Sequence, residues 1–472
     1  MMRPAQIFLL PALLAAACGG PAAGGKAGVP VWPDSLPAAA AFGTRRGLTP
    51  VRTAIHAHSL YSYDACDRAP VDAQGRPNEA CLARLRRAIC RLHIGALFLT
   101  EHDRRLAEAE SLDQALLRRG TDTPVLVAGH LAASRIACPG DPAGTLLFAG
   151  AENRLIAIGF DSLPAGGAEA RRDAYNAETP GAAAAFRALG AVVLFPHTEE
   201  VALEEIATLG PDGLELFNPH AIFAPKHRRQ QGLSPWGAFA ELLPFYARGT
   251  RAHPDLALLP IFRAHRTALD KWDALLSDRF VFGFGASDAH ENALPWPLAD
   301  GERGDAYTRL LRWVANVVLV AGPDPVGAGD AAGLKDAIRR GRFFVVIEAW
   351  GTPAGFDFHL AGPDGTAEMG SRVPYRAGLR LIARAPAVSG LSPALPEPAV
   401  RLRLYRITPG RRDVVAESAG HVEWPVTGPG AYRVEVGIVP RHLTPYLGAD
   451  ADRYLREVIW IYSNPILVEP ER

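Results

Sequence analysis

The stretch Val51-Arg-Thr-Ala-Ile-His56-Ala-His58 is an extended apolar run that ends in two histidines one residue apart. Side chains at i and i+2 of a strand share a face, so both imidazoles can meet one ligand. Outward from this run the same layout recurs. Apolar segments predict strands at 51–56, 96–100, 145–149, 155–159, 191–196, 213–217 and 280–285. Segments of helical period fall between them at 79–92, 181–189, 199–209 and 264–276. Strand–helix alternation implies parallel strands joined by crossover helices, an α/β class. Six or seven such units suit a barrel better than an open sheet.

Beyond residue 322 the texture changes. One more helix is expected at 332–340, followed by the apolar run 343–347. The stretches 401–405, 431–437 and 458–462 then alternate or run apolar between Gly/Pro turns, the pattern of a small all-β sandwich. Trp424, Trp460 and Tyr462 are read as core residues of that region. The chain therefore divides into a barrel over 49–322 and a linking helix plus sandwich over 323–472.

Residues 1–18 read as an export signal: Arg3, an apolar core, then Leu14-Ala-Ala-Ala-Cys18. Cys after small residues resembles a bacterial lipobox, which makes Cys18 the expected lipidation site. The Gly/Ala/Pro-rich segment 19–48 reads as a tether. The expected location is thus the bacterial cell envelope, at the periplasmic face or outer membrane, held by the lipid anchor alone. The apolar run 7–17 is too short to span a bilayer as a helix. Four cysteines remain, Cys66, Cys81, Cys90 and Cys138, and disulfides are permitted in an exported chain. Three pairings are possible. Cys66 and Cys81 bracket a loop rich in turn residues, which favours that pair. Lys+Arg and Asp+Glu both number 50, a balance that argues against a nucleic-acid partner.

The chemistry-bearing residues sit where the expected strands end. Asp288-Ala-His290 repeats the spacing of His56 and His58. Thr100-Glu-His102-Asp103, Gly150-Ala-Glu152 and Phe195-Pro-His197 each follow an apolar run directly, and Asp64 follows the first pair. Residues at the C-terminal ends of barrel strands converge. Imidazole and carboxylate without thiolate suit zinc, manganese or iron. Glu101 and Asp103 are candidates to orient imidazoles. Arg154, two residues from Glu152, is the candidate substrate-binding group, with Arg104, Arg105 and the run Lys226-His-Arg-Arg229 as further anion clamps.

Taken together these motifs resemble a known family. Residues 52–64 are similar to the first motif of the PHP (polymerase and histidinol phosphatase) family. Leu99-Thr-Glu-His-Asp103 resembles its second motif, and Phe195-Pro-His197 and Ser287-Asp-Ala-His290 resemble later ones. The segment 334–342 and the tail ending in Tyr462-Ser-Asn-Pro-Ile466 resemble exported members with an appended sandwich. The resemblance implies a distorted (β/α)7 barrel with two or three divalent transition metals. It also implies hydrolysis of a small phosphorylated substrate by a hydroxide generated at those metals. Carried over, His56, His58 and Asp288 would hold one metal, and Glu152 would bridge to a second completed by His197. Asp64, His102 and His290 would hold the third. Glu152 and Asp288 would be the catalytic residues. One position departs: no histidine follows Glu152 closely, and His220 is the candidate substitute. The expected function is an exported metal-dependent phosphoesterase. The alternative is a non-catalytic metal- or glycan-binding surface lipoprotein that keeps the barrel.

Overall fold

In the computed structural model, residues 30–247, 251–322, 330–449 and 451–471 are described. The expected signal, Cys18 and the start of the tether lie outside them. The architecture is mixed α/β, with one large sheet, a six-stranded sheet and a second β-rich region. Among the described residues no helix is long and apolar enough to cross a membrane.

The first strand, Leu48–Ala57, is buried on both faces. Val51 and Ile55 face a cluster with Phe98, Phe148, Leu194, Phe284 and Val318. Ala54 faces Leu82, Leu85, Ala88 and Ile89, the apolar stripe of helix Glu79–Arg91. That stripe follows i, i+3, i+4 spacing, and Asn78 caps the helix by accepting from the Cys81 amide. Two-sided burial explains why the strands read as continuous apolar runs. Parallel pairing joins the first strand to Ala96–Leu99, and that strand to Asp141–Phe148. In the six-stranded sheet, Val192–Phe195, Gly213–Phe217 and Phe282–Gly285 are parallel neighbours. The two sheets meet where Ala57 bridges Ala289.

Two departures from the expected layout have local causes. Ile156–Ile158 pairs antiparallel with both Gly150–Glu152 and Val192–Phe195. Only residues 153–155 separate it from its predecessor, too few for a crossover helix, so a hairpin forms. Thr123–Val127 and His130–Cys138 form a second hairpin, which continues antiparallel onto Asp141–Phe148.

The large sheet does not stop at residue 322. Ala315–Ala321 pairs antiparallel with the first strand, Phe343–Val346 pairs with Ala315–Ala321, and Val458–Ser463 pairs with Phe343–Val346. Gly430–Val439 and Ala399–Thr408 extend it further. The four-stranded sheet built on Asp357–Gly362 shares a core with these strands through Phe358, Leu360, Leu381, Leu402 and Val434. Trp460 and Tyr462 lie in that core, and Trp424 packs against it half-buried.

Disulfides join Cys66 to Cys81 and Cys90 to Cys138. The second ties helix Glu79–Arg91 to the hairpin strand across 48 residues of chain, worth about 4 kcal/mol in the chain-entropy account. Reduction with dithiothreitol is therefore expected to lower the thermal midpoint by ~5 °C or more. Cys90→Ala should reproduce most of that fall.

His442 provides a pH signature far from the candidate site. It is buried, donates from Nε2 to the Trp350 carbonyl at 3.0 Å, and burial pushes its pKa down to about 4. The unfolded chain binds this proton nearer pH 6.5, so the neutral form stabilises the fold above 6.5. That stability is lost as pH falls toward 4. Unfolding midpoints measured from pH 7 to 4 should fall, and less steeply in His442→Gln.

Candidate metal centre

The site forms where the first strand meets residues 286–290. The Asp288 amide donates to the His56 carbonyl at 2.7 Å, and the His58 amide donates to the Ala289 carbonyl at 3.0 Å. Pairing shifts register between Ile55 and Ala57, and His56 itself has φ 68°. His197 (φ 47°) and Asp288 (φ 45°) share this left-handed conformation. Non-glycine residues held there store strain of order 1–3 kcal/mol each, and such strain gathers at functional sites. The bulge at His56 aims its imidazole at the same carboxylate that His58 faces.

Three groups of ligand-type atoms result here, two of them with four members. His56, His58, Glu152 and Asp288 form one, all buried; His58, Asp64, His102 and His290 form the other, and His58 belongs to both. In the first group Glu152 Oε2 lies 3.1 Å from His56 Nε2 and 3.0 Å from His58 Nε2. Asp288 Oδ1 lies 3.3 and 3.4 Å from the same two nitrogens. In the second, Asp64 Oδ2 is 3.5 Å from Nε2 of both His102 and His290.

The opposite ring nitrogens are engaged elsewhere. His56 Nδ1 donates to Glu215 Oε2 at 3.0 Å, and His290 Nδ1 donates to the Asp288 carbonyl at 2.9 Å. His102 Nδ1 lies 3.4 Å from the Glu152 carbonyl, and His58 Nδ1 lies 2.8 Å from Ser62 Oγ. With Nδ1 turned outward, four Nε2 atoms converge on carboxylate oxygens. His56 Nε2, His58 Nε2 and Asp64 Oδ1 are buried without a hydrogen-bond partner. Orphaned buried acceptors are costly. A divalent cation satisfies such a set, and the donors, imidazole and carboxylate without thiolate, fit zinc, manganese or iron.

Mutual charge dominates the titration of the cluster. Burial opposes ionisation of Glu152 and Asp288, yet His56 beside the first and His220 beside the second hold both carboxyls well below the usual range. Burial opposes the charge on His102, but Asp64 and Glu152 outweigh it and push its pKa up to about 9. For His290, burial and the neighbouring His58 push the pKa down to about 3.

Other expected residues fall differently. His197 joins neither group; its Nε2 faces Glu152 Oε1 at 3.2 Å, and Asn218 Nδ2 lies 3.4 Å from its Nδ1. His220, half-exposed, sets Nδ1 2.9 Å from Asp288 Oδ2 and groups with Asp288 and His290. Arg154 is ion-paired with Glu205 and lies over the Phe195 ring. In the run at 226–229, Lys226 and Arg229 are exposed, whereas His227 and Arg228 are buried. Arg228 is buried and spends its guanidinium on the Ser234 and Ile222 carbonyls and on Glu241. Of the nearby carboxylates, Glu101 accepts from Ser59 and Ser62.

Two contributors escaped the sequence reading. Glu215 accepts from His56 and, through Oε1, from the His197 amide and Asn218 Nδ2, both at 3.0 Å. Asn218 also donates to Asp288 Oδ2 at 3.1 Å. The available signal was a single acid inside the apolar run Gly213-Leu-Glu-Leu-Phe217.

No protein-family model matches the chain, and no curated protein matches it. Among solved structures it is similar to a two-domain protein from Bacteroides vulgatus described as containing a predicted PHP-like metal-dependent phosphoesterase. Identity is 12%, the match covers 91% of this chain and 99% of that one, and the TM-score is 0.33. A likeness so remote assigns no residue, and the site stands on its own geometry.

Proposed function

We propose that the chain is a PHP-type metal-dependent hydrolase acting on phosphate esters, its strands forming a distorted barrel followed by a sandwich domain. The observation that carries this reading is the convergence of four imidazole Nε2 atoms on three carboxylates, with each Nδ1 engaged outside. His56, His58, Glu152 and Asp288 would hold one divalent ion, and Asp64, His102 and His290 a second. Bound there, such ions supply Lewis-acid polarisation of a phosphoryl oxygen and activation of water. The protein's own part is positional. Glu215 and Asn218 fix His56 and Asp288, the neighbouring imidazoles hold Glu152 and Asp288 ionised against the cost of burial, and half-exposed His220 lies at Asp288 within reach of an entering substrate. His197 would orient Glu152 through Oε1. Export and anchoring through Cys18 belong to the same proposal and rest on the N-terminal sequence.

Elemental analysis together with turnover of generic phosphate mono- and diesters tests the proposal. Two transition-metal ions per chain and metal-dependent hydrolysis lost in His58→Ala are expected. Absence of turnover with zinc, manganese or iron across a broad ester panel would overturn it. The second reading, a surface protein that binds metal or glycan without catalysis, draws on His197, which joins no ligand group. Bound ions without turnover would favour it.

A further inference from the structure

We infer that Ser62 and Glu101 are positioning residues that fix the tautomer of His58 and, through one hydroxyl, align both ligand groups. The inference rests on reading His58 as an ion ligand. Ser62 Oγ meets three partners: Glu101 Oε2 at 2.6 Å, His58 Nδ1 at 2.8 Å and the His102 amide at 3.0 Å. A hydroxyl has one proton to donate and two lone pairs with which to accept. The amide can only donate. Glu101 Oε2 already takes the Ser59 amide at 3.0 Å and its other oxygen takes the Ser59 hydroxyl, so this carboxyl faces Ser62 as an acceptor. The Ser62 proton therefore goes to Glu101, and His58 Nδ1 must donate to Ser62. That leaves the Nε2 lone pair, which is otherwise without a partner, aimed at Glu152 and Asp288.

The same hydroxyl holds the backbone of His102, so it ties the end of the first strand to the segment after Ala96–Leu99. His58 Nε2 serves the first group and His102 the second. Losing the hydroxyl should weaken two ions, not one. Glu101 is buried, and among the described residues no ion pair to an arginine or lysine is found for it. Its three contacts to Ser59 and Ser62 are thus its visible purpose.

The primary test is the tautomer itself, read by nitrogen-15 NMR on the full chain stripped of metal. His58 protonated at Nδ1 is expected; His58 protonated at Nε2 overturns the inference. This readout needs neither bound ion nor hydrolysis, so it survives failure of the phosphoesterase reading. Ser62→Ala should lose the single tautomer and weaken binding of Zn2+, measured by chelator competition, about 10–100-fold at both sites. Glu101→Gln should keep the tautomer, because the fixed Ser59 amide draws the glutamine oxygen into the Oε2 position, where it still accepts from Ser62. Unchanged Zn2+ affinity in a folded Ser62→Ala overturns the inference, as does weakening of one ion alone.

Discussion

Glu152→Gln is expected to empty the first ion site and to lower phosphate-ester turnover by at least about a hundredfold. The carboxylate is nearly fully buried, and its two oxygens serve three imidazoles: Oε2 faces His56 and His58, and Oε1 faces His197. Glutamine keeps the shape but removes one of the two negative charges that offset a divalent ion in this group. In a site of low effective dielectric that loss is far larger than on a surface. The amide also presents N–H protons to lone pairs that should coordinate. Metal per chain by elemental analysis and initial rates on a phosphate monoester would both read the effect. Saturating metal at about a thousand times Kd contributes ~4 kcal/mol of stability to a folded chain. The metal-induced rise in thermal midpoint should therefore shrink in parallel. Full metal content and wild-type turnover in the variant would refute the assignment.

Arg52→Met is expected to destabilise the fold by about 3–5 kcal/mol, the cost of leaving a buried carboxylate without its partner. Arg52 is fully buried and meets Glu348 through two hydrogen bonds of 2.9 and 2.7 Å. It also donates to the Pro37 carbonyl at 2.8 Å and lies over the Phe42 ring at 5.0 Å. Thr352 supplies a further donor to Glu348 at 2.6 Å. One guanidinium thus joins the N-terminal segment, the strand that carries His56 and the chain beyond residue 340. Urea denaturation would show the loss as a lower midpoint. Arg52→Met/Glu348→Leu should recover a substantial part of it, since removing both charges leaves no uncompensated ion. A double variant no more stable than the single would argue against the pairing.

Seven of the eight expected ligands fall into the two groups, and the reason is local. Each follows an apolar run that becomes a strand, and strand ends are where a parallel sheet gathers its polar residues. His197 also follows a strand, but its Nε2 faces Glu152 Oε1 and not the Oε2 that His56 and His58 share, so it sits at the margin of the first group. Glu215 was hidden because burial of a strand interior looks the same whether the acid is a partner or an accident. Ser62 falls within residues 52–64 but has no signal of its own; its role depends on Glu101, brought beside it by pairing between strands. The continuity of the large sheet was equally illegible. Alternating hydrophobicity says that a strand has an apolar face, not which strand lies beside it.

That continuity has a kinetic side. The first strand finds Ala96–Leu99 early on one edge, but Leu48 pairs with Ala321 on the other, so that edge is covered only after most of the chain exists. Contacts of such sequence separation fold slowly, because a long loop must close before any pairing is rewarded. Until then the strand that carries His56 and His58 presents an open, apolar edge, the kind of surface that associates with other chains. Completion of the ligand geometry therefore waits on residues 288–290 and on the strand Ala315–Ala321 that covers this edge.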